Sequence, residues 1–200
     1  SLLVFVFWIL LSVMVQPIGL LMWEHRLIEK IVPKLRDIAS GIGESGELDP
    51  RTIDTVVDFF RLYADKTHHG KEEDILFRML EGKKVRLEHK MIRDELVAEH
   101  VSARLKVKRL FEANEAYVKG DHSKVSVIAV VLRELAEFYP VHIEKEDKRF
   151  FTEAMSYFSK EEQDMIRGRF ERFDMAMIHW KYQQVIKSLT GELVPIRVEP

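Results

Sequence analysis

The chain has no cysteine. That excludes disulfides, iron–sulfur clusters and thiolate zinc sites, and it fits a reducing compartment. Any metal must then be held by nitrogen and oxygen. A dominant charge is missing too: 33 acidic residues oppose 31 basic ones, for a formal net charge of −2. No such balance draws nucleic acid, and no nucleic-acid partner is expected. Proline and glycine are scarce, six and nine in 200 residues, and most fall between long apolar-periodic runs. No segment of useful length alternates apolar and polar as a half-buried strand does. What remains is long helices with short connections, in a chain of ordinary domain size.

Residues 2–15 are apolar apart from Ser12, and with Leu20–Trp23 the run approaches bilayer-spanning length. Gln16, Pro17 and Gly19 interrupt it, and no basic residue precedes it as in a signal peptide. Three readings stay open for residues 1–15. They are sequence upstream of or foreign to the domain, with Met14 as the true start. Or they belong to a membrane tether through residues 2–23. Or they form an extra apolar helix packed on the domain or a partner. Residues 16–158 then form the main domain and 159–200 a C-terminal helix and tail.

The chain repeats itself. His68-His69-Gly70-Lys71-Glu72-Glu73 runs on to Leu76-Phe77, and His142-Ile143-Glu144-Lys145-Glu146-Asp147 runs on to Phe150-Phe151. With His68 aligned on His142, Glu72 falls on Glu146, Glu73 on Asp147, and each apolar pair on the other. Each copy has an upstream Glu-His pair, Glu24-His25 and Glu99-His100. From 25 to 68 is 43 residues and from 100 to 142 is 42. Two halves of one plan are the simplest reading.

Helical periodicity starts at Ile18. The linker Gly41–Leu48 is expected to end the first helix. Asp49-Pro50 opens a second, with Asp as cap and Pro at the first helical position, running to about Met79. A third spans about Val85 to Val118. A fourth, capped by Asp121 or Ser123, reaches about Phe158, with a kink expected at Pro140. Ser159-x-x-Glu162 is a capping box for a fifth, about Lys160 to Leu189. The fold class is all-α: an antiparallel up-down four-helix bundle with an extra C-terminal helix and an apolar N-terminal segment.

Four apolar stripes each carry one histidine: Leu21-His25-Ile28-Val32, Phe60-Ala64-His68-Glu72-Ile75, Leu96-His100-Ala103-Val107 and Leu135-Phe138-His142-Glu146. Residues four apart stack on one helix face, so Glu72 joins His68 and Glu146 joins His142. His69 follows Arg61, Asp65 and Lys66 onto a wetter face and is expected outside the site. His89, His122 and His179 are expected to be surface or core groups. Buried charges are costly unless paired or on a metal, so a shared metal site is expected. Glu24, Glu99 and Glu73 are candidate acceptors for histidine N–H groups.

With these residues in place, the chain resembles a hemerythrin-like (HHE cation-binding) protein over about Ile18 to Phe158. The matching elements are Glu24-His25, His68 to Glu73 with Leu76-Phe77, Glu99-His100, and His142 with Glu146-Asp147. The resemblance implies two non-haem iron ions, oxo- or hydroxo-bridged, in an up-down bundle. It assigns His25 and His68 to one iron, His100 and His142 to the other, and Glu72 and Glu146 as bridges. The bridge in hemerythrins proper sits five residues after its histidine, which selects Asp147. The repeat and the helix face select Glu146, and Glu146 is the expectation. Hemerythrins proper also carry a fifth histidine one turn from the third-helix ligand. Leu96 and Arg104 occupy those turns here, so that ligand is expected to be missing and its position open to water, oxygen, peroxide or another carboxylate.

Imidazole with carboxylate and no sulfur suits iron, with manganese as the alternative metal. A ferritin-like di-iron bundle needs Glu-x-x-His on two helices. Met22, Asp65, Lys66, Arg86, Val97, Lys119, Tyr139 and Ala176 stand three residues before the histidines, and none is Glu. A His-Glu-x-x-His zincin motif is absent as well. Tyr63 and Tyr139 lie near the histidines and are candidate donors to a bound ligand. The expected function is binding or sensing of oxygen, nitric oxide, peroxide or iron/redox state, with a di-iron enzyme acting on peroxide, oxygen or nitric oxide as the alternative. The expected partners are a small diatomic or peroxide ligand and, at the N-terminus, a membrane, a protein or a second copy. The expected location is cytoplasmic, membrane-associated if the apolar segment is native.

Overall fold

The structure, a computed structural model, describes residues 16–46 and 48–190. Five helical rods follow one another, and no strand occurs among the described residues. The first, α1, is Pro17–Ser45. The second, α2, is composite: α-helical Pro50–Asp58, π-helical Phe59–His69 and Glu72–Phe77, then α-helical Arg78–Glu81. The third, α3, is Leu87–Val118. The fourth, α4, is Lys124–Lys145, continued by π-helical Glu146–Phe150 and α-helical Phe151–Met155. The fifth, α5, is Lys160–Thr190.

Local chemistry sets these limits. Asp49 accepts from the Arg51 amide and the Thr52 hydroxyl, and Pro50 fills the first helical position. Ser159 and Glu162 bond reciprocally, backbone amide to carboxylate and amide to hydroxyl, as a capping box. The first helix outruns its expected end. Gly41 and Gly43 lie inside it because Ala39 and Ile42 are buried and anchor the last turns. Gly46, at φ 70°, ends it and donates to Ile42 O. Pro140 does not break its helix, which runs through to Lys145; the winding changes later, at Glu146.

Short connections make successive rods antiparallel. α1 packs along α4, α4 along α3, and α3 along α2, closing a four-helix bundle that α5 covers across α1 and α2. Two apolar clusters fill it. One contains Ile28, Leu35, Phe60, Leu110, Leu135 and Tyr139. The other contains Ile18, Leu21, Leu76, Phe150, Phe151 and Phe170. The histidine repeat lies between them, as a polar layer inside an apolar core. No helix among the described residues is long and apolar enough to cross a membrane. The readings for residues 1–15, including the tether, fall outside the described residues.

Gly70 is where α5 meets α2. A Cβ there would stand 2.8 Å from Phe173 Cζ, closer than packed atoms tolerate. Alanine gains about 1 kcal/mol of helix propensity over glycine, and overpacking costs about 1–3 kcal/mol. Gly70→Ala should therefore destabilise the protein by about 1 kcal/mol, yet stabilise a Phe173→Ala background. Chemical denaturation of the four-member cycle measures this; the same sign in both backgrounds would show that the contact does not matter.

Candidate metal centre

Four histidines share one construction. Each is buried, and each has its Nδ1 held by a carboxylate from another helix: His68 by Glu24 at 2.9 Å, His25 by Asp147 at 2.7 Å, His100 by Glu73 at 2.7 Å and His142 by Glu99 at 2.8 Å. A carboxylate on Nδ1 fixes the proton there and leaves Nε2 as a bare donor aimed inward. All four Nε2 atoms are buried without a hydrogen-bond partner. So are both oxygens of Glu72 and both of Glu146. Buried polar atoms are nearly always satisfied, so such a cluster is the donor set of a cation site.

The carboxylates link two nitrogen groups. Glu72 Oε1 lies 3.4 Å from His68 Nε2, and its Oε2 lies 3.4 Å from His100 Nε2. Glu146 Oε2 lies 3.1 Å from His25 Nε2, and its Oε1 lies 3.4 Å from His142 Nε2 and 3.5 Å from His100 Nε2. Two donors at right angles, each about 2.1 Å from one ion, stand roughly 3 Å apart, so these gaps suit a shared metal. Each glutamate therefore turns one oxygen to each nitrogen group. Two sets of potential ligand atoms result: His25, His68, Glu72 and Glu146, and His69, His100 and His142.

His69 corrects the sequence expectation. It is 1% exposed, its ring stacks on His100 with centroids 3.8 Å apart, and neither nitrogen has a hydrogen-bond partner, though Nδ1 lies 3.6 Å from Asp65 Oδ1. The reason is the π-helix over Phe59–His69. A winding bonded five residues apart turns less per residue than an α-helix, so neighbours such as His68 and His69 both face inward. The Thr67 hydroxyl, donating to Leu62 O five residues back, marks the wider turn. A fifth inward histidine therefore comes from α2, not from the α3 turns at Leu96 and Arg104. Its signal was the doubled histidine before the acidic pair, hidden by a 3.6-residue period.

The other candidates fall around this centre. Glu146 is fully buried within it, while Asp147 stands behind His25 and also pairs with Arg26. Glu24, Glu73 and Glu99 stand behind their histidines in the same way. Tyr139 is buried, stacked on Phe60, and lines a cavity of about 240 Å³ with His69, Asp65 and Arg104. Tyr63 has a buried, unpartnered hydroxyl beside a different cavity that Glu24 and Trp23 also line. His89 is buried away from the centre against Tyr157, and His122 is exposed beside Tyr117. The His179 side chain lies outside those described.

Without a metal the charges settle unevenly. Burial, then repulsion from Glu146, drives the Glu72 carboxyl well above the usual carboxylate range. Burial pushes the same way at Glu146, but His142, His100 and His25 outweigh it and hold it well below. At His25, burial is outweighed by Asp147 and Glu146, which raise it to about 9. Burial lowers His68 to about 4; burial, then the neighbouring His100, His68 and His142, drives His69 well below its ordinary value.

Comparison with known proteins agrees with this arrangement. A family model described as the hemerythrin HHE cation binding domain matches residues 16–154. Searches of curated proteins and of solved structures return no match.

Two predictions arise here. First, His69→Ala should lose about half the bound metal. Glu146→Ala should lose nearly all, since its oxygens serve both groups, and Asp147→Ala should keep the metal with an altered spectrum. Metal per chain after loading measures this; full loading of Glu146→Ala with loss in Asp147→Ala would reverse the two roles. Second, metal must displace the His25 proton at any pH below about 9. Affinity should rise with pH up to that point, with about one proton or more released per chain at neutral pH. Calorimetry in buffers of different ionisation enthalpy reads the release; a pH-independent affinity would contradict it.

Proposed function

The chain belongs to the hemerythrin HHE cation-binding family, and from that premise we propose that it is a non-haem di-iron protein. Its centre binds or senses oxygen, nitric oxide, peroxide or the iron and redox state of its surroundings. The observation that carries the dinuclear reading is the paired reach of Glu72 and Glu146, one oxygen to each nitrogen group. Five imidazoles and two carboxylates without sulfur suit iron, with manganese second. Iron in such a site supplies reversible one-electron chemistry and an affinity for small oxygen and nitrogen ligands.

The protein's part is binding and exclusion. The four carboxylate braces fix the imidazole planes before a metal arrives. The two apolar clusters keep bulk water from the centre. Donor supply is unequal: the His69 group has three nitrogens and the His25 group two. If both carboxylates were shared, the His25 and His68 group, with fewer nitrogens, would be the one with room for an outside ligand. This reading moves the opening from the α3 turns of Leu96 and Arg104 to the α1 and α2 histidines. The reading of a di-iron enzyme acting on peroxide, oxygen or nitric oxide uses the same centre. The cavity of about 240 Å³ that brings Tyr139 and Arg104 beside His69 favours it. Multiple turnovers of peroxide by purified protein would select that alternative.

Protein loaded with ferrous iron under anaerobic conditions should hold close to two iron atoms per chain. After oxidation it should show near-ultraviolet ligand-to-metal absorption and magnetic coupling between the irons. A well-folded chain that takes up no iron under these conditions would end the proposal.

A further inference from the structure

Lys71, between Gly70 and Glu72, is fully buried. Burying an ammonium is costly unless it is paired. Its Nζ donates to Glu24 Oε1, and Glu24 Oε2 accepts from His68 Nδ1 at 2.9 Å. The same Nζ donates at 2.6 Å to Asp174 Oδ1, on α5. α5 begins after residue 154, where the family match ends. Its seat is specific: Phe173 rests on Gly70, Ile166 and Phe170 are fully buried, and Lys66 lies 3.8 Å over the Trp180 ring.

The repeat shows what Asp174 replaces. Lys145 precedes Glu146 as Lys71 precedes Glu72. It donates at 2.5 Å to Glu99, which holds His142, and it has a second carboxylate in Glu95. Glu95 stands four residues before Glu99, on the same helix. Four residues before Glu24 stands Leu20. The first half of the bundle therefore lacks its own second carboxylate, and α5 brings one.

We infer that α5 completes the His25 and His68 half of the metal centre, with Lys71 and Asp174 as positioning residues acting through Glu24. Lys71 alone would neutralise Glu24 and weaken its pull on the His68 Nδ1 proton. Asp174 takes up part of that positive charge, so Glu24 stays anionic and His68 donates more strongly through Nε2. Coupling of this kind is reciprocal: if a docked α5 strengthens metal binding, bound metal strengthens the docking of α5. The inference rests on the metal reading of the centre.

The test uses the full chain and ferrous iron. Asp174→Asn keeps the size and removes the charge. It should retain two metal positions but weaken one of them about tenfold, and raise the reduction potential of one iron while leaving the other in place. Asp174→Glu should restore both. In the wild type, amide exchange across 166–178 should be slower with iron than without, and Asp174→Asn should abolish that difference. If the wild type loads iron and Asp174→Asn equals it in affinity, potential and exchange, this inference alone falls. If the wild type takes up no iron, the metal reading falls and takes the inference with it.

Discussion

Two carboxylates, Glu72 and Glu146, face each other in a layer from which water is excluded, and the rest of the bundle answers to that. Their four oxygens, with six imidazole nitrogens around them, have no hydrogen-bond partner. Like charges this close in low dielectric cannot both stay ionised without a cation. The surroundings are built outward in rings. Each of the four paired imidazoles has a carboxylate behind it, and each of those carboxylates has a cation behind it: Lys71 at Glu24, Arg104 at Glu73, Lys145 at Glu99 and Arg26 at Asp147. Alternating charge lets a buried anionic centre grade into solvent without a large unpaired step. The apolar clusters above and below supply the packing that makes this rigid.

The rings also carry the repeat into three dimensions. Glu24 of α1 holds His68 of α2, as Glu99 of α3 holds His142 of α4. In the reverse sense Glu73 of α2 holds His100 of α3, and Asp147 of α4 holds His25 of α1. The pattern breaks in two places. His69 has Ile143 as its counterpart, which makes the nitrogens three against two. Leu20 stands opposite Glu95, which leaves Lys71 for α5 to complete. Both departures come from the first half of the chain, and both make the two nitrogen groups chemically unequal.

Much of this was legible from residue order, because it depends on period and spacing. The four histidines His25, His68, His100 and His142 stand on apolar stripes, and burial of such stripes drives helix packing whatever the fold's details. The capping box at Ser159 and the cap at Asp49 are local and read directly. What stayed hidden had non-local causes. His69 was misplaced because the stripe argument assumes 3.6 residues per turn, and the chain winds wider from Phe59 to His69. Glu146 and Asp147 fall in a similar segment, Glu146–Phe150, so the face argument for Glu146 rested on a winding that ends just before it. Nothing local marks Lys71 as buried, because its second partner, Asp174, lies 103 residues away. The Gly41–Ser45 turn looked like a linker because glycine is a poor helix former; burial of Ile42 overrides that propensity.

The protein must also fold before metal arrives, and the direction of its titrations shows how. An unsatisfied buried polar group costs about 1–3 kcal/mol, and several together cannot all be left bare. Protons take the place of cations. His25 is held to about 9 by Asp147 and Glu146 against the effect of burial, and burial and then Glu146 push Glu72 toward its neutral form. The sign follows from His25. Its pKa in the fold lies above the ordinary value of 6.5, so its contribution to the stability of the empty protein is full below that value and vanishes as pH rises through about 9. Metal binding changes in the opposite sense, because there are fewer protons to displace. The gap in stability between loaded and empty protein must therefore widen with pH across that interval. Proton and metal are competing occupants of one buried anionic layer, and the fold is arranged so that one or the other is always needed.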